Sequence, residues 1–228
     1  LSLTIRAGEI LGVAGVAGNG QRELTEVVTG LHPVSSGKVI INKKEMTNKS
    51  PIAFIKVGVS HIPSDRVAMG VIGDMSVASN LAMKGYRKAP ITEHGFMHPK
   101  RIFAMAKKLI DVFKISTPTP NTHVKFLSGG NIQKTILARE IEAGGGLLVA
   151  AYPSRGLDVG ATEAVRNEIV QQRDRGRAVL MVSEDLEELF TVADRIAVLF
   201  EGQIMGEVSS ENADAESLGL MMAGVPQD

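Results

Sequence analysis

Short apolar runs alternate with segments of helical spacing along most of this chain, and that alternation leaves few folds open. Residues 10–14 read as a buried strand, and residues 21–29 as a helix that follows a glycine-rich turn. Further strands are expected at 38–42, 59–62, 147–151, 178–182 and 196–200. Helices are expected over 129–142, 162–173 and 186–193, and from Ser50-Pro51, where serine suits the N-cap and proline the first helical position. His98-Pro99 opens an amphipathic helix in which Ile102, Phe103, Ala106, Leu109, Ile110 and Phe113 share one face. Strands alternating with helices argue for a mainly parallel sheet covered on both faces. Between residues 74 and 126 the pattern is nearly all helical, apart from a proline-rich loop at 117–121, so a helical subdomain inserted in an α/β core is expected. The stretch from Ser209 is polar and then methionine-rich, and reads as a loosely packed tail.

Composition narrows the function classes. The 228 residues carry 25 Lys and Arg against 25 Asp and Glu, so no bulk field draws the chain to nucleic acid or to a membrane surface. Cysteine is absent, which excludes disulfides, thiolate metal sites and a cysteine nucleophile. Tryptophan is absent and aromatics make up 4%, too few to build base-stacking platforms. His32, His61, His94, His98 and His123 show no metal-ligand spacing. No stretch reaches the ~20 apolar residues that cross a bilayer. The start, Leu1-Ser2-Leu3-Thr4-Ile5-Arg6, lies inside a strand-like alternation without an initiator methionine, and reads as the cut end of a longer cytosolic polypeptide.

The first strand–helix junction carries the chemistry. Gly15-Val16-Ala17-Gly18-Asn19-Gly20-Gln21-Arg22-Glu23 has the glycine spacing of a phosphate-binding loop, whose backbone N–H groups cradle phosphates. Gln21 stands where the lysine of such a loop would be, and Arg22 where a Ser or Thr would hold Mg²⁺. Arg22 either restores part of the missing positive charge or is solvated, and solvation is the favoured reading. The bland alternative for the whole segment is a tight turn with no ligand.

Four more segments decide between these readings. Leu127-Ser128-Gly129-Gly130-Asn131-Ile132-Gln133-Lys134, at a helix start, resembles the signature motif of ATP-binding-cassette (ABC) proteins. The stretch 147–158 resembles that family's Walker B strand running into its D-loop, which ends on Asp158. His61-Ile62-Pro63-Ser64-Asp65-Arg66 lies where the Q-loop belongs, and Val182-Ser183-Glu184-Asp185 where the switch histidine belongs. Order and spacing match over most of the chain. The resemblance implies a P-loop NTPase fold: an α/β core at 1–73 and 127–208 with a small N-terminal β-subdomain, a helical subdomain at 74–126, and a C-terminal tail at 209–228.

The departures from the family pattern run in one direction. Ala151 replaces the aspartate that would bind the metal's water shell. Tyr152 replaces the glutamate that would orient the attacking water, and a phenol of pKa ~10 is a poor base at neutral pH. Ser64 replaces the Q-loop glutamine and Glu184 the switch histidine. Phosphoryl transfer rests on positioning and charge stabilisation, and losing one such group costs ~2.7–4 kcal/mol. Hydrolysis at the chain's own loop is therefore not expected, nor Mg²⁺ there. Leu127, Ser128, Gly129, Gly130, Asn131 and Asp158 keep the family pattern. In that family two cassettes dimerise head to tail, and the signature of one closes over ATP held by the other.

Gly18 to Glu23, Pro63-x-Asp65-Arg66 and Ser183-Glu184 together resemble the C-terminal cassette of the fused two-cassette ATPases that drive import of simple sugars and nucleosides. Ala151-Tyr152-Pro153 resembles the nucleoside branch more closely. The resemblance implies an N-terminal cassette in the same polypeptide, transmembrane permease subunits, indirectly a solute-binding protein, and a place at the cytoplasmic face of the membrane. No nucleic-acid partner is expected. The competing readings are a non-hydrolytic regulatory or scaffold cassette and a soluble ABC ATPase of translation or DNA repair.

Overall fold

The computed structural model describes residues 1–225, so the last three residues of the expected tail lie outside the described residues. The chain forms two compact units. One comprises residues 1–61, 144–153 and 166 onward; the other comprises 62–143 and 154–165.

The first unit is built on a six-stranded sheet. In chain order its strands are β1 (Ile10–Ala14), β4 (Val59–Ile62), β7 (Leu147–Ala151), β8 (Ala178–Ser183), β9 (Arg195–Phe200) and β10 (Gln203–Ser209); the hairpin β2 (Ile40–Ile41) and β3 (Lys44–Glu45) lies apart. The spatial order is β10-β9-β1-β8-β7-β4. β1 pairs in parallel with both β8 and β9, and β7 in parallel with β8. All five residues of β1 and of β7 are buried. That explains why these strands read as unbroken apolar runs: a parallel strand covered on both faces has no solvent side. The register sets Ala14 beside Ser183 and Ala151 beside Val182, so the C-terminal ends of β1, β7 and β8 lie side by side. In open α/β sheets, ligands bind outside those ends.

Helices α1 (Gln21–Val27), α2 (Pro51–Lys56) and α7 (Leu186–Val192) belong to this unit. Phe54 on α2 is buried in one core with Leu11, Val13, Val149, Leu180 and Leu199. β10 is antiparallel to β9 across the two-residue turn Glu201-Gly202, where both residues have positive φ (44° and 75°). That is the hairpin geometry matched to strand twist. This strand was not expected. The C-terminal stretch is also more than a loose tail: α8 (Ala215–Met222) is capped by the Asp214 carboxylate and buries Leu218 and Met221.

The second unit is mainly helical: α3 (Val77–Ala82), α4 (Pro99–Val112) and α5 (Gly129–Ala143), together with the start of α6 (Val159–Asp174). Ala106 and Leu109 of α4 are buried and Ile102, Phe103 and Ile110 are half-buried, so the predicted apolar face is the inward one. One feature departs from the all-helical expectation for 74–126, and a second, the turn at Arg66–Gly70, lies ahead of that range. A short hairpin, β5 (Thr92–Glu93) and β6 (Phe96–Met97), turns through His94-Gly95. A π-helical turn occupies Arg66–Gly70, with the Asp65 carboxylate accepting from Val67 N (3.0 Å) and Ala68 N (2.8 Å). Asn80 is fully buried and fastens the loop before α3, accepting from Ile72 N (2.9 Å) and donating to Ile72 O (3.0 Å). Among the described residues no helix is long and apolar enough to cross a membrane.

Candidate functional site

The expected site residues fall into two groups, one in each unit. In the first unit β1 runs into the loop Gly15–Gly20 and then α1. Gly15 has no room for a side chain: a Cβ there would collide with the Gln21 carboxamide and lie 2.6 Å from the Leu199 carbonyl oxygen. Gly18 and Gly20 have φ of 94° and 106°, which winds the loop back on itself. Gln21 does not project from the loop; it is 2% exposed. Its Nε2 donates to Val16 O (2.9 Å), and its Oε1 accepts from Asn19 N (3.1 Å). The Asn19 amide also leans on Val16 O (3.3 Å), while Asn19 O accepts from Gly202 N (2.9 Å) and ties the loop to the β9–β10 turn. Val16, Ala17 and Gly18 are exposed on the outside of this ring.

Arg22 turns the other way. Its guanidinium is 76% exposed and donates to Glu26 one turn along the helix (2.7 Å). The Glu26 carboxylate, by hydrogen bond and charge, holds the Arg22 pKa above its usual value. This matches the solvated reading. Glu23, in the first turn of the same helix, is exposed.

At the strand ends, Ala151 is buried. Tyr152 takes a left-handed backbone (φ 48°), donates its N–H to Val182 O (2.8 Å), and is packed against the apolar core. Glu184 is exposed. Around it the backbone is firmly held. Ser183 Oγ donates to the buried Glu188 carboxylate (2.6 Å) and accepts from Asp185 N (3.1 Å), and Asp185 caps α7. Arg166 reaches both Asp185 and Glu188 at 3.5 Å.

In the second unit α5 begins at the signature. Ser128 is exposed; its Oγ accepts from Asn131 Nδ2 (2.9 Å) and more weakly from Asn131 N (3.4 Å). Asn131 is itself fixed, its Oδ1 accepting from Ser116 N (2.7 Å). Leu127 is half-buried, and Gly129 is exposed. Gly130 sits against the D-loop: a Cβ there would lie 3.1 Å from Ala161 Cβ and 4.0 Å from an Asp158 carboxylate oxygen. Asp158 caps α6 by accepting from Ala161 N (2.8 Å). Ser64, in this unit, is exposed.

Two things escaped the sequence reading. Ser116, which anchors Asn131, carries no motif. Arg66 ties three segments together: its guanidinium donates to the Arg155 carbonyl in the D-loop and reaches Gly129 O at 3.5 Å. Burial lowers its pKa. Nothing local marks Arg66 for that role, because its partners lie 63 and 89 residues away.

Comparison with known proteins returns one family. The family model described as ABC transporter matches residues 1–150. The guanosine import ATP-binding protein NupO of Bacillus subtilis is 45% identical over 227 residues, covering 100% of this chain and 44% of the relative. The glucose import ATP-binding protein TsgD13 of Haloferax volcanii is 44% identical over 226 residues, covering 98% and 41%. The chain thus spans less than half the length of these curated relatives. Among solved structures, MJ1267, an ATP-binding cassette of an ABC transporter, superposes with a TM-score of 0.81 at 21% identity over 99% of this chain and 90% of that one. That likeness establishes the P-loop NTPase fold: a mainly parallel sheet with a helical subdomain.

Proposed function

The chain belongs to the ABC transporter family, and on that premise we propose that it is the C-terminal, chemically eroded cassette of an importer's ATP-binding subunit, lending its signature to ATP held by a second cassette. In this reading residues 1–73 and 127–208 form the core, 74–126 the helical subdomain and 209–228 the tail. The second cassette belongs to the same full-length polypeptide, and permease subunits hold both at the cytoplasmic face of the membrane. A solute-binding protein delivers a nucleoside or simple sugar to those subunits. The 45% match to a guanosine importer and the Ala151-Tyr152-Pro153 ending support the nucleoside.

The observation that carries this reading is the Ser128 hydroxyl. It is exposed, and its acceptor side is engaged by Asn131, which is anchored in turn by Ser116. The hydroxyl hydrogen is therefore left to be given to an acceptor outside the chain. A hydroxyl donor beside two glycine amides at a helix start suits an anion, and Ser128, Gly129 and Gly130 would hold the terminal phosphate of ATP brought by the partner. The bound nucleotide would supply the phosphoanhydride, and Ser128, Gly129 and Gly130 of this chain would orient it.

The residues of the chain's own loop do not fit a metal-bound nucleotide. The carboxamide of Gln21 lies within the loop, Arg22 pairs with Glu26, and Ala151 has no side-chain oxygen to offer a metal or its water shell. No hydrolytic step is assigned there. Gln21→Lys tests this: the variant should gain affinity for phosphate yet show ATP turnover no higher than a buffer blank, because Arg22, Ala151 and Tyr152 remain. Turnover comparable to a competent cassette from that single change would overturn the reading.

A further inference from the structure

We propose that Gln21 is the resident occupant of this loop, its carboxamide taking the seat that a phosphate takes in a competent one. The inference rests on the reading of residues 15–21 as a phosphate loop that has lost its cation, and it goes further. Loss of the lysine alone predicts an open, weakened cradle. Instead, the ring of backbone around Gly15, Val16 and Asn19 is filled and satisfied from within. The carboxamide is both donor and acceptor, and the loop uses both: the Val16 carbonyl takes its hydrogen at 2.9 Å, and the Asn19 amide gives it one at 3.1 Å. An ionised phosphate oxygen, an acceptor only, would serve the Asn19 amide but donate nothing to the Val16 carbonyl, which would lose its 2.9 Å donor and keep only the longer contact from Asn19 N (3.3 Å). The side chain is 2% exposed, and the absence of a Cβ at Gly15 is what lets it in. The loop is thus held closed by its own side chain, and is linked through Asn19 to the β9–β10 turn.

The consequence is selective. A buried carboxamide satisfied on both sides is displaced only if its own two bonds are replaced, and a polyphosphate replaces one. This chain should therefore be indifferent to free polyphosphate, and should become responsive to it once the carboxamide is removed.

The test is amide hydrogen exchange on the 228-residue chain, wild type against Gln21→Ala, with and without millimolar tripolyphosphate. In the wild type, exchange at Asn19 should be slow and unmoved by tripolyphosphate. In Gln21→Ala it should quicken by about tenfold, the weight of one net hydrogen bond, with amides of β1 and β8 unchanged. Tripolyphosphate should then slow it again. An Asn19 rate equal in the two proteins, or a clear slowing of wild-type Asn19 exchange by tripolyphosphate, would overturn the proposal. If Gln21→Ala fails to fold, the wild-type response to tripolyphosphate still decides. These outcomes leave Ser128 untouched, so a failure here is distinct from a failure of the signature's assigned role.

Discussion

Ser128→Asp should abolish solute uptake by the reconstituted importer, while Gln21→Ala leaves it near normal. In an ordinary phosphate-loop protein the order would be reversed. Ser128 is exposed and caps α5, and aspartate is as good an N-cap as serine, so the fold should survive the change. On the proposed reading, what changes is the charge offered to the nucleotide of a second cassette. A carboxylate against the terminal phosphate costs several kcal/mol in like-charge juxtaposition, on the order of 100-fold or more in the productive complex. Gly130→Asp should act in the same direction, with an added packing cost because a Cβ at Gly130 would lie 3.1 Å from Ala161 Cβ. On the proposed reading, Gln21→Ala removes only contacts internal to the loop. Uptake and ATP turnover measured on the same preparations decide. Normal uptake with Ser128→Asp, or its loss with Gln21→Ala, would mean that the two loops have been assigned the wrong roles.

The second large effect is on stability. Glu140→Ala should destabilise the helical unit by ~3–5 kcal/mol, the penalty for leaving buried charge uncompensated. The Glu140 side chain is 1% exposed; it accepts from Arg139 Nε at 3.0 Å and pairs with Lys84 Nζ. The Arg139 side chain is only 8% exposed, so it has no route to water when the carboxylate goes, whereas Lys84 can swing out. Thermal unfolding should fall by roughly 6–20 °C. Glu140→Gln, which keeps the shape and one acceptor, should lie between. A midpoint for Glu140→Ala within 2 °C of wild type, about the smallest shift a single kcal/mol produces in a chain this size, would show that the buried Glu140 carboxylate is not fastening the turn after α3, through Lys84, to α5.

Central parallel strands were legible because burial on both faces leaves an unbroken apolar run, as in Ile10–Ala14 and Leu147–Ala151. The edge strand Gln203–Ser209 was missed because its burial is partial and its composition mixed; the Glu201-Gly202 pair directly after the apolar run Ile196–Phe200 was the signal available. The hairpin at Thr92–Met97 hid behind a helix-rich neighbourhood, although His94-Gly95 carries the same turn chemistry. The site was half legible. Glycine spacing located the loop, and residue type made the departures from the family pattern at Gln21, Arg22, Ala151 and Tyr152 visible. Where the Gln21 side chain goes was not readable, because a glutamine at a helix start is equally at home in solvent; its inward course depends on the missing Cβ at Gly15. Arg66 was readable only as a family marker, since bonds to Gly129 and Arg155 exist only after folding.

Magnesium-dependent ATP turnover by this chain alone tests most directly the claim that its own loop has no chemistry and its value lies in what it lends. The expected rate equals a buffer blank, unchanged by Gln21→Ala or by Ser128→Asp. Turnover clearly above the blank that either substitution removes would contradict it.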